Sequence, residues 1–316
     1  MQKALGIHHV GFGVRDLKKT REFYEETLAF SGMLEEWEYS INSMADTFRN
    51  SAHNFEGWMP FQEAGGIIIE PILMKWPTPR PIRRNPLYGD IGVNKLTIAV
   101  SDVTKFVKEY EDKVSFCGKP KKVKLPGLGD YQFVYAKDPD GNLLEFATWD
   151  GAKAENGTFG GAQILGVSVT DLERSKAFYK KHCDLDVVVS EHTAFSGKVG
   201  EVSGNKGTKV KSCLLDCSKR EAGEGGMLEL YEVSNPRGRS IPFGTQWGDY
   251  GYMEVTLIST ANILDLQNYY IEQGLDVVQR PTNFGTDEEG TVEYWFIYVR
   301  DPDGIFIETV VVRPLQ

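Results

Sequence analysis

The sequence repeats itself, and this repeat limits what the chain can fold into. The stretch GFGVRDLKKTREFY at residues 11–24 returns 155 residues later as GVSVTDLERSKAFY at residues 166–179. Each copy has the pattern of a short alternating strand followed by an amphipathic helix. The two halves of the chain therefore share one design.

A second repeat lies near the end of each half. YQFVYAKDPDGNLLEF at residues 131–146 matches YWFIYVRDPDGIFIET at residues 294–309. Each copy predicts a β-hairpin, because Pro and Gly suit the turn between two apolar strands. Weaker strand-and-helix copies begin near Asn94 and Met253. Each half thus holds two units of strand, helix and two or three strands, which we call modules 1 to 4.

A module of this size cannot cover its own sheet, so the modules are expected to pair. The stretch DGAKAENGTFGGAQ at residues 150–163 has the composition of a connection and marks the boundary between the halves. The sequence therefore predicts two domains. Residues 1–150 hold modules 1 and 2, and residues 160–316 hold modules 3 and 4.

The net charge of the chain limits which classes of partner it can bind. Acidic residues outnumber basic ones by 45 to 35, which gives a formal net charge of −10. Without a basic field we expect no nucleic-acid partner. The printed sequence contains no apolar run that could span a membrane and no signal-peptide core. We expect a cytoplasmic protein that binds a small molecule and no membrane.

The repeated stretches resemble those of a known family. HVGFGVRDLKKTREFY and DPDGNLLEF in the first half, with GVSVTDLERSKAFY and DPDGIFIE in the second, are similar to the vicinal oxygen chelate superfamily. It includes glyoxalase I, methylmalonyl-CoA epimerase, extradiol dioxygenases and the fosfomycin and bleomycin resistance proteins. The resemblance implies an α+β fold of four βαβββ modules paired into two curved-sheet, glyoxalase-like domains. It also implies metal ligands on the first and last strand of each module.

The first-strand position lies seven residues before the aspartate of V-x-D-L, or at the aligned residue in module 4. It is occupied by His9, Lys95, Ile164 and Glu254. In module 1 the apolar Val10, Phe12 and Val14 alternate with glycines, which predicts His8 on the packed face and His9 in the cleft.

The last-strand position lies four residues after a glycine in every module. It is occupied by Glu70, Glu145, Glu229 and Glu308. Leu144 and Phe146 flank Glu145, so its carboxylate is expected to face away from the core and into a cleft.

In the first domain, His9, Glu70 and Glu145 could together hold a divalent ion such as Fe, Mn, Co, Ni or Zn. Lys95 stands at the family's usual second-histidine position, and an ammonium cannot ligate a metal. It either replaces the metal as the positive charge or acts as a base if burial lowers its pKa.

In the second domain, Glu229, Glu254 and Glu308 form a weaker candidate site. Three facing carboxylates need a cation, a raised pKa or solvent, and Ile164 offers no donor. The equal alternative is that this domain has lost its site and serves structure or dimer contact.

The leading interpretation is a metal-dependent isomerase, epimerase or lyase whose small substrate chelates the ion through adjacent oxygens, with Glu145 or Lys95 moving a proton. The alternatives are an extradiol-dioxygenase-like protein with a rearranged site and a non-catalytic binding protein of the resistance type. The sequence leaves open whether the modules pair within one chain or with those of a second copy in a homodimer.

Overall fold

The computed structural model describes residues 1–41, 53–152, 154, 158–221, 224–287 and 289–315. The predicted α+β fold of four βαβββ modules is confirmed within them. Part of the predicted boundary between the halves, at residues 153 and 155–157, lies outside the described residues. None of the helices in these ranges is long and apolar enough to cross a bilayer.

Modules 1 and 2 occupy the first half. Module 1 consists of β1 (Gly6–Ile7), β2 (His9–Gly13), α1 (Leu17–Arg21), a π-helical segment (Glu22–Thr27), β3 (Gly32–Ile41), β4 (His53–Phe61) and β5 (Ile68–Trp76). Module 2 consists of β6 (Gly92–Val100), α2 (Val103–Tyr110), β7 (Ser115–Phe116), β8 (Lys121–Leu125), β9 (Gly129–Lys137) and β10 (Leu143–Thr148).

Modules 3 and 4 occupy the second half. Module 3 consists of β11 (Phe159–Ser168), α3 (Leu172–Cys183), β12 (Val187–His192), α4 (Gly200–Ser203), β13 (Lys209–Asp216) and β14 (Met227–Ser234). Module 4 consists of β15 (Gly251–Tyr252), β16 (Glu254–Ser259), α5 (Ile263–Glu272), β17 (Val277–Thr286), β18 (Val292–Arg300) and β19 (Phe306–Pro314).

The aspartate of the V-x-D-L motif begins the helix of its module. Asp16 accepts a hydrogen bond from the backbone N–H of Lys19, and Asp171 accepts one from Arg174. Module 4 lacks this aspartate, and Asn262 caps its helix instead. Such N-caps satisfy backbone donors that a helix leaves unpaired. The motif therefore marks where the first strand ends, which is why counting back from it finds the cleft position.

Modules 2 and 3 share one nine-stranded sheet. Its order is β12-β13-β14-β11 from module 3 followed by β6-β10-β9-β7 from module 2, with β8 paired to β9. The first strands β6 and β11 are antiparallel neighbours, and Lys95 lies opposite Gly166. The seam between these strands joins one half of the chain to the other.

Modules 1 and 4 meet along a similar seam. β1 pairs with β16 and β15 pairs with β2, both antiparallel. Between these pairs the His8 N–H donates to the Thr256 carbonyl at 2.8 Å, and the Met253 N–H donates to the Gly11 carbonyl at 3.0 Å. The strands on the two sides of the seam are ordered β1-β16-β19-β18-β17 and β15-β2-β5-β4-β3.

Modules of the same half contact each other elsewhere. The Tyr24 hydroxyl of module 1 donates to Asp138 in the D-P-D-G turn of module 2 at 3.1 Å. The Tyr179 hydroxyl donates to Asp301 in the corresponding turn of module 4 at 3.3 Å. The repeated Tyr and the repeated Asp of the sequence are therefore partners, and their hydrogen bonds link modules 1 to 2 and 3 to 4.

The prediction that each half closes its own cleft is wrong. The helix-to-turn contacts join the modules of one half, while the seams pair module 1 with module 4 and module 2 with module 3. A first strand with an unpaired edge needs a partner, and that partner comes from the other half. Each cleft therefore takes its residues from both halves.

This pairing predicts that the halves stay together when the chain is cut between them. A protease site inserted between residues 152 and 158 allows cleavage of the folded protein. We expect the two fragments to co-elute in size-exclusion chromatography without denaturant, because both seams hold them by backbone hydrogen bonds and buried apolar surface. Separate elution of two folded fragments would contradict the pairing across halves.

Candidate functional site

Four polar side chains converge in the cleft between modules 1 and 4, which we call the first cleft. His9 comes from β2, Glu70 from β5, Glu254 from β16 and Glu308 from β19. The His9 Nε2 atom lies 3.3 Å from Glu70 Oε2 and 3.2 Å from Glu308 Oε2. One donor atom each from His9, Glu70 and Glu254 lie within 4.8 Å of one another. Two halves of the sequence thus build one cluster.

The strand register brings these side chains together. Parallel pairing places Glu70 beside Gly11 and Glu308 beside Thr256. The Thr256 hydroxyl donates to Glu308 Oε2 at 3.0 Å. A Cβ at position 11 would collide with the Glu254 carboxylate and lie 3.1 Å from Glu70 Oε2. Gly11 is therefore required to leave room for two carboxylates on the same side of the seam.

Glu254 is the most confined of the carboxylates. It is fully buried, and its Oε2 accepts a hydrogen bond from the Trp247 indole N–H at 2.9 Å. A hydrogen bond with the Tyr298 hydroxyl acts to lower the pKa of this carboxylate. Burial, with the neighbouring charges of Glu308 and Glu70, holds the pKa of Glu254 well above its usual value. Such a carboxylate ionises easily only when a cation joins it.

The pKa of His9 is set by the neighbouring carboxylates. Burial alone would lower its pKa, but the carboxylates of Glu70 and Glu308 outweigh burial and raise it to about 10. Burial also raises the pKa of Glu70, although His9 opposes that shift. One imidazolium is thus shared between carboxylates in a site rich in negative charge.

The prediction that His8 lies on the packed face is wrong. The strand is interrupted at His8, and the alternation of core-facing residues shifts by one position there. Ile7 faces the core before the interruption, and Val10 and Phe12 face it afterwards. Both histidines lie outside that core. Their Nδ1 atoms are 2.8 Å apart. Burial and the neighbouring His9 lower the pKa of His8 to about 3, so His8 is neutral. An interruption of this kind has no marker in the sequence.

The cleft between modules 2 and 3, which we call the second cleft, holds Lys95, Glu145 and Glu229. The Lys95 ammonium forms an ion pair with Glu145 and lies 2.8 Å from Glu229 Oε2. Burial would lower the pKa of Lys95, but these two carboxylates outweigh burial and raise it. That direction is opposite to the one a basic lysine would need.

The predicted groupings are therefore wrong, although the predicted positions all lie in clefts. His9 and Glu70 meet Glu254 and Glu308, not Glu145. Glu145 and Lys95 meet Glu229, so they cannot move a proton for a substrate bound in the first cleft. The physical reason is that each cleft forms across a seam between the two halves and not within one half.

The first cleft fits a divalent metal ion. It offers one imidazole nitrogen and several carboxylate oxygens, a donor set that suits first-row divalent ions. Burial raises the pKa values of Glu70 and Glu254, so a cation placed between these carboxylates would favour their ionised forms. His9, Glu70 and Glu254 are the residues placed to hold the ion, with Glu308 beside them.

A cavity of about 420 Å³ lies one strand position away from this cluster, and its lining includes the neighbouring residues but none of the four cluster residues. His8, Ile68 and Ile258 line it, and Leu34 and Phe61 add apolar surface from β3 and β4. Ile68 lies two residues before Glu70 and next to His9 in the sheet. The connection between β13 and β14 contributes Lys219 to its wall. The sequence carries no signal for this cavity, which strands far apart in the sequence enclose, or for the Trp247 contact, which comes from the connection between β14 and β15.

Comparison with known proteins gives one family. The sequence model of the Glyoxalase/Bleomycin resistance protein/Dioxygenase superfamily matches residues 6–146 and 162–309. No curated protein matches the sequence.

Many solved structures are similar in fold, among them a glyoxalase I and a putative dioxygenase. Glyoxalase I from Zea mays is 18% identical with a TM-score of 0.63, and the match covers 97% of this chain and 92% of that one. A putative dioxygenase from Bacillus subtilis is 17% identical with a TM-score of 0.54, and the match covers 98% of this chain and 86% of that one.

The ion pairs of the second cleft predict a large effect of removing Lys95. Lys95→Met leaves Glu145 and Glu229 buried without their cation, and we expect the free energy of unfolding to fall by about 3–5 kcal/mol. Urea denaturation followed by circular dichroism measures this change.

The matched control removes the carboxylates as well. Combining Lys95→Met with Glu145→Gln and Glu229→Gln takes away the unpaired charge, so most of the loss should be recovered. A Lys95→Met protein as stable as wild type would contradict the role of these ion pairs.

Proposed function

Because the chain belongs to the Glyoxalase/Bleomycin resistance protein/Dioxygenase superfamily, we propose that its first cleft binds a divalent metal ion and catalyses an isomerase, epimerase or lyase reaction. The substrate is a small molecule that presents two adjacent oxygens. The observation that carries this proposal is the cluster of His9, Glu70 and Glu254, whose donor atoms lie within 4.8 Å of one another in a buried, negatively charged cleft.

The ion is Fe, Mn, Co, Ni or Zn, held by His9, Glu70 and Glu254. When bound, it supplies Lewis-acid polarisation of the chelating oxygens. The His9 imidazole would be one of the ligands, and its Nδ1 contacts His8, an arrangement that would orient a metal-binding histidine. The cavity lined by Ile68 and Ile258 accommodates the rest of the substrate.

Glu308 moves the proton. Its carboxylate lies at the cluster, within 3.2 Å of His9 Nε2, and the Thr256 hydroxyl orients it through a hydrogen bond. A carboxylate beside a chelated substrate can take a proton from the carbon next to the oxygens and return it to a neighbouring atom. This assignment replaces the predicted roles of Glu145 and Lys95.

The metal site is tested by a pair of equivalent substitutions. Glu70→Gln removes a donor from the first cleft, while Glu229→Gln changes the equivalent last-strand residue in the second cleft. We expect wild type and Glu229→Gln to bind about one equivalent of metal per chain, and Glu70→Gln to lose it, because a neutral amide is a poor replacement for a carboxylate ligand. Elemental analysis of untagged protein measures the content.

Equal metal content in Glu70→Gln and wild type would move the ion away from the first cleft. A wild-type protein that stays empty after incubation with all five metals would overturn the metal-dependent function.

Proton transfer is tested with hydroxyacetone as a simple probe with adjacent oxygens. In D₂O, zinc-loaded wild type should exchange the C–H protons beside those oxygens, as seen by proton NMR. Glu308→Gln should slow this exchange by about 100-fold or more, because an amide cannot accept the proton. Glu145→Gln changes the equivalent position in the second cleft, and this variant should exchange the hydroxyacetone protons at the wild-type rate.

Exchange at the wild-type rate in Glu308→Gln would assign the proton transfer to another group. Zinc-loaded wild type that binds hydroxyacetone without any exchange would favour the binding-protein alternative. Oxygen uptake with catechol by the iron-loaded protein would favour the dioxygenase alternative.

A further inference from the structure

The last-strand residues of the two clefts occupy equivalent positions in their sheets. In the parallel sheet pairs, Glu229 lies beside Gly166 as Glu70 lies beside Gly11. Likewise Glu145 lies beside Thr97 as Glu308 lies beside Thr256. The last-strand carboxylates of one cleft therefore have direct counterparts in the other.

The first-strand positions differ between the clefts. Ile164 of the second cleft corresponds to His9, and Lys95 corresponds to Glu254. The glycine on the opposite strand makes room for the side chain in both cases, because a Cβ at Gly11 would strike Glu254 and a Cβ at Gly166 would lie 2.5 Å from Lys95 Cγ. One cleft thus has a carboxylate where the other has an ammonium.

The Lys95 ammonium has several polar partners. It pairs with Glu145 and with Glu229, and it lies 3.3 Å from the Thr97 hydroxyl. Thr97 also donates to Glu145 at 2.9 Å, and Ser212 donates to Glu229 at 2.5 Å. The Phe195 ring centroid lies 5.8 Å from Nζ. The side chain of Lys95 is 1% exposed and that of Glu145 is 0% exposed, so these groups are closed off from solvent.

We propose that the Lys95 ammonium is the resident cation of the second cleft, occupying the place between two carboxylates that a metal ion takes in the first cleft. The chain therefore binds one metal ion, and the second cleft is a closed, metal-independent ion-pair site. Lys95 blocks metal binding by its charge and by its hold on both carboxylates, and Ile164 removes the imidazole donor. The proposal rests on the proposed function only where it places a metal in the first cleft.

The test converts the second cleft while the first is disabled. Glu70→Gln is the parent, and Lys95→Glu with Ile164→His is added to it, so that the second cleft gains the donor set of the first. We expect the parent to bind no Co²⁺ and the converted protein to bind about one equivalent, with a cobalt absorption band that chelator removes. Circular dichroism establishes that both are folded.

Two results would overturn the proposal. One is a folded converted protein that binds no Co²⁺ although wild type binds it in the first cleft. The other is a wild type that binds two equivalents, one of which survives Glu70→Gln. A wild type that binds no metal while the converted protein does would instead overturn the function proposed for the first cleft and support the one proposed for Lys95.

A second variant covers the case in which the conversion does not fold. Lys95→Ala in the Glu70→Gln parent leaves space and two carboxylates without their cation. We expect Co²⁺ to raise the melting temperature of this variant, because the ion replaces the ammonium, and to leave that of the parent unchanged. An equal response of both proteins to Co²⁺ would contradict the assignment of Lys95 as the resident cation.

Discussion

The arrangement of the whole molecule depends on the antiparallel pairing of first strands across the two halves. Each module has a first strand whose outer edge carries unpaired backbone groups, and such an edge must be covered. β6 covers that of β11, and β15 with β16 covers that of β1 and β2. Since the cleft residues lie on or beside these strands, the pairing decides which side chains meet.

Within this arrangement of strands, the charged side chains decide what each cleft can bind. Both clefts place two last-strand carboxylates at equivalent positions, and two buried carboxylates require a positive partner. In the second cleft Lys95 is that partner. In the first cleft Glu254 adds a further carboxylate and His9 is the one imidazole at the cluster. In the second cleft an ammonium lies between two carboxylates, whereas in the first cleft the His9 imidazolium faces three, so the first cleft keeps the larger excess of negative charge.

Much of this could be predicted from the sequence, because the relevant signals are local. The Asp of V-x-D-L caps a helix, and the glycine four residues before each glutamate opens the last strand, so each cleft position could be counted from a nearby marker. Which modules pair could not be predicted in this way. An unpaired strand edge in module 2 has the same sequence pattern whether module 1 or module 3 covers it. The residues that meet across the actual seam, Lys95 and Gly166, are far apart in the sequence.

The exchange of modules across the halves has a consequence for symmetry. If two separate half-chains assembled in this way, a two-fold axis would relate them, and every substitution would appear in both clefts at once. A single chain that contains both halves has no such restriction. His9 and Ile164 occupy equivalent positions, as do Glu254 and Lys95, and each pair differs without affecting the other cleft. Covalent joining of the halves is what allows the two clefts to carry different residues at equivalent positions.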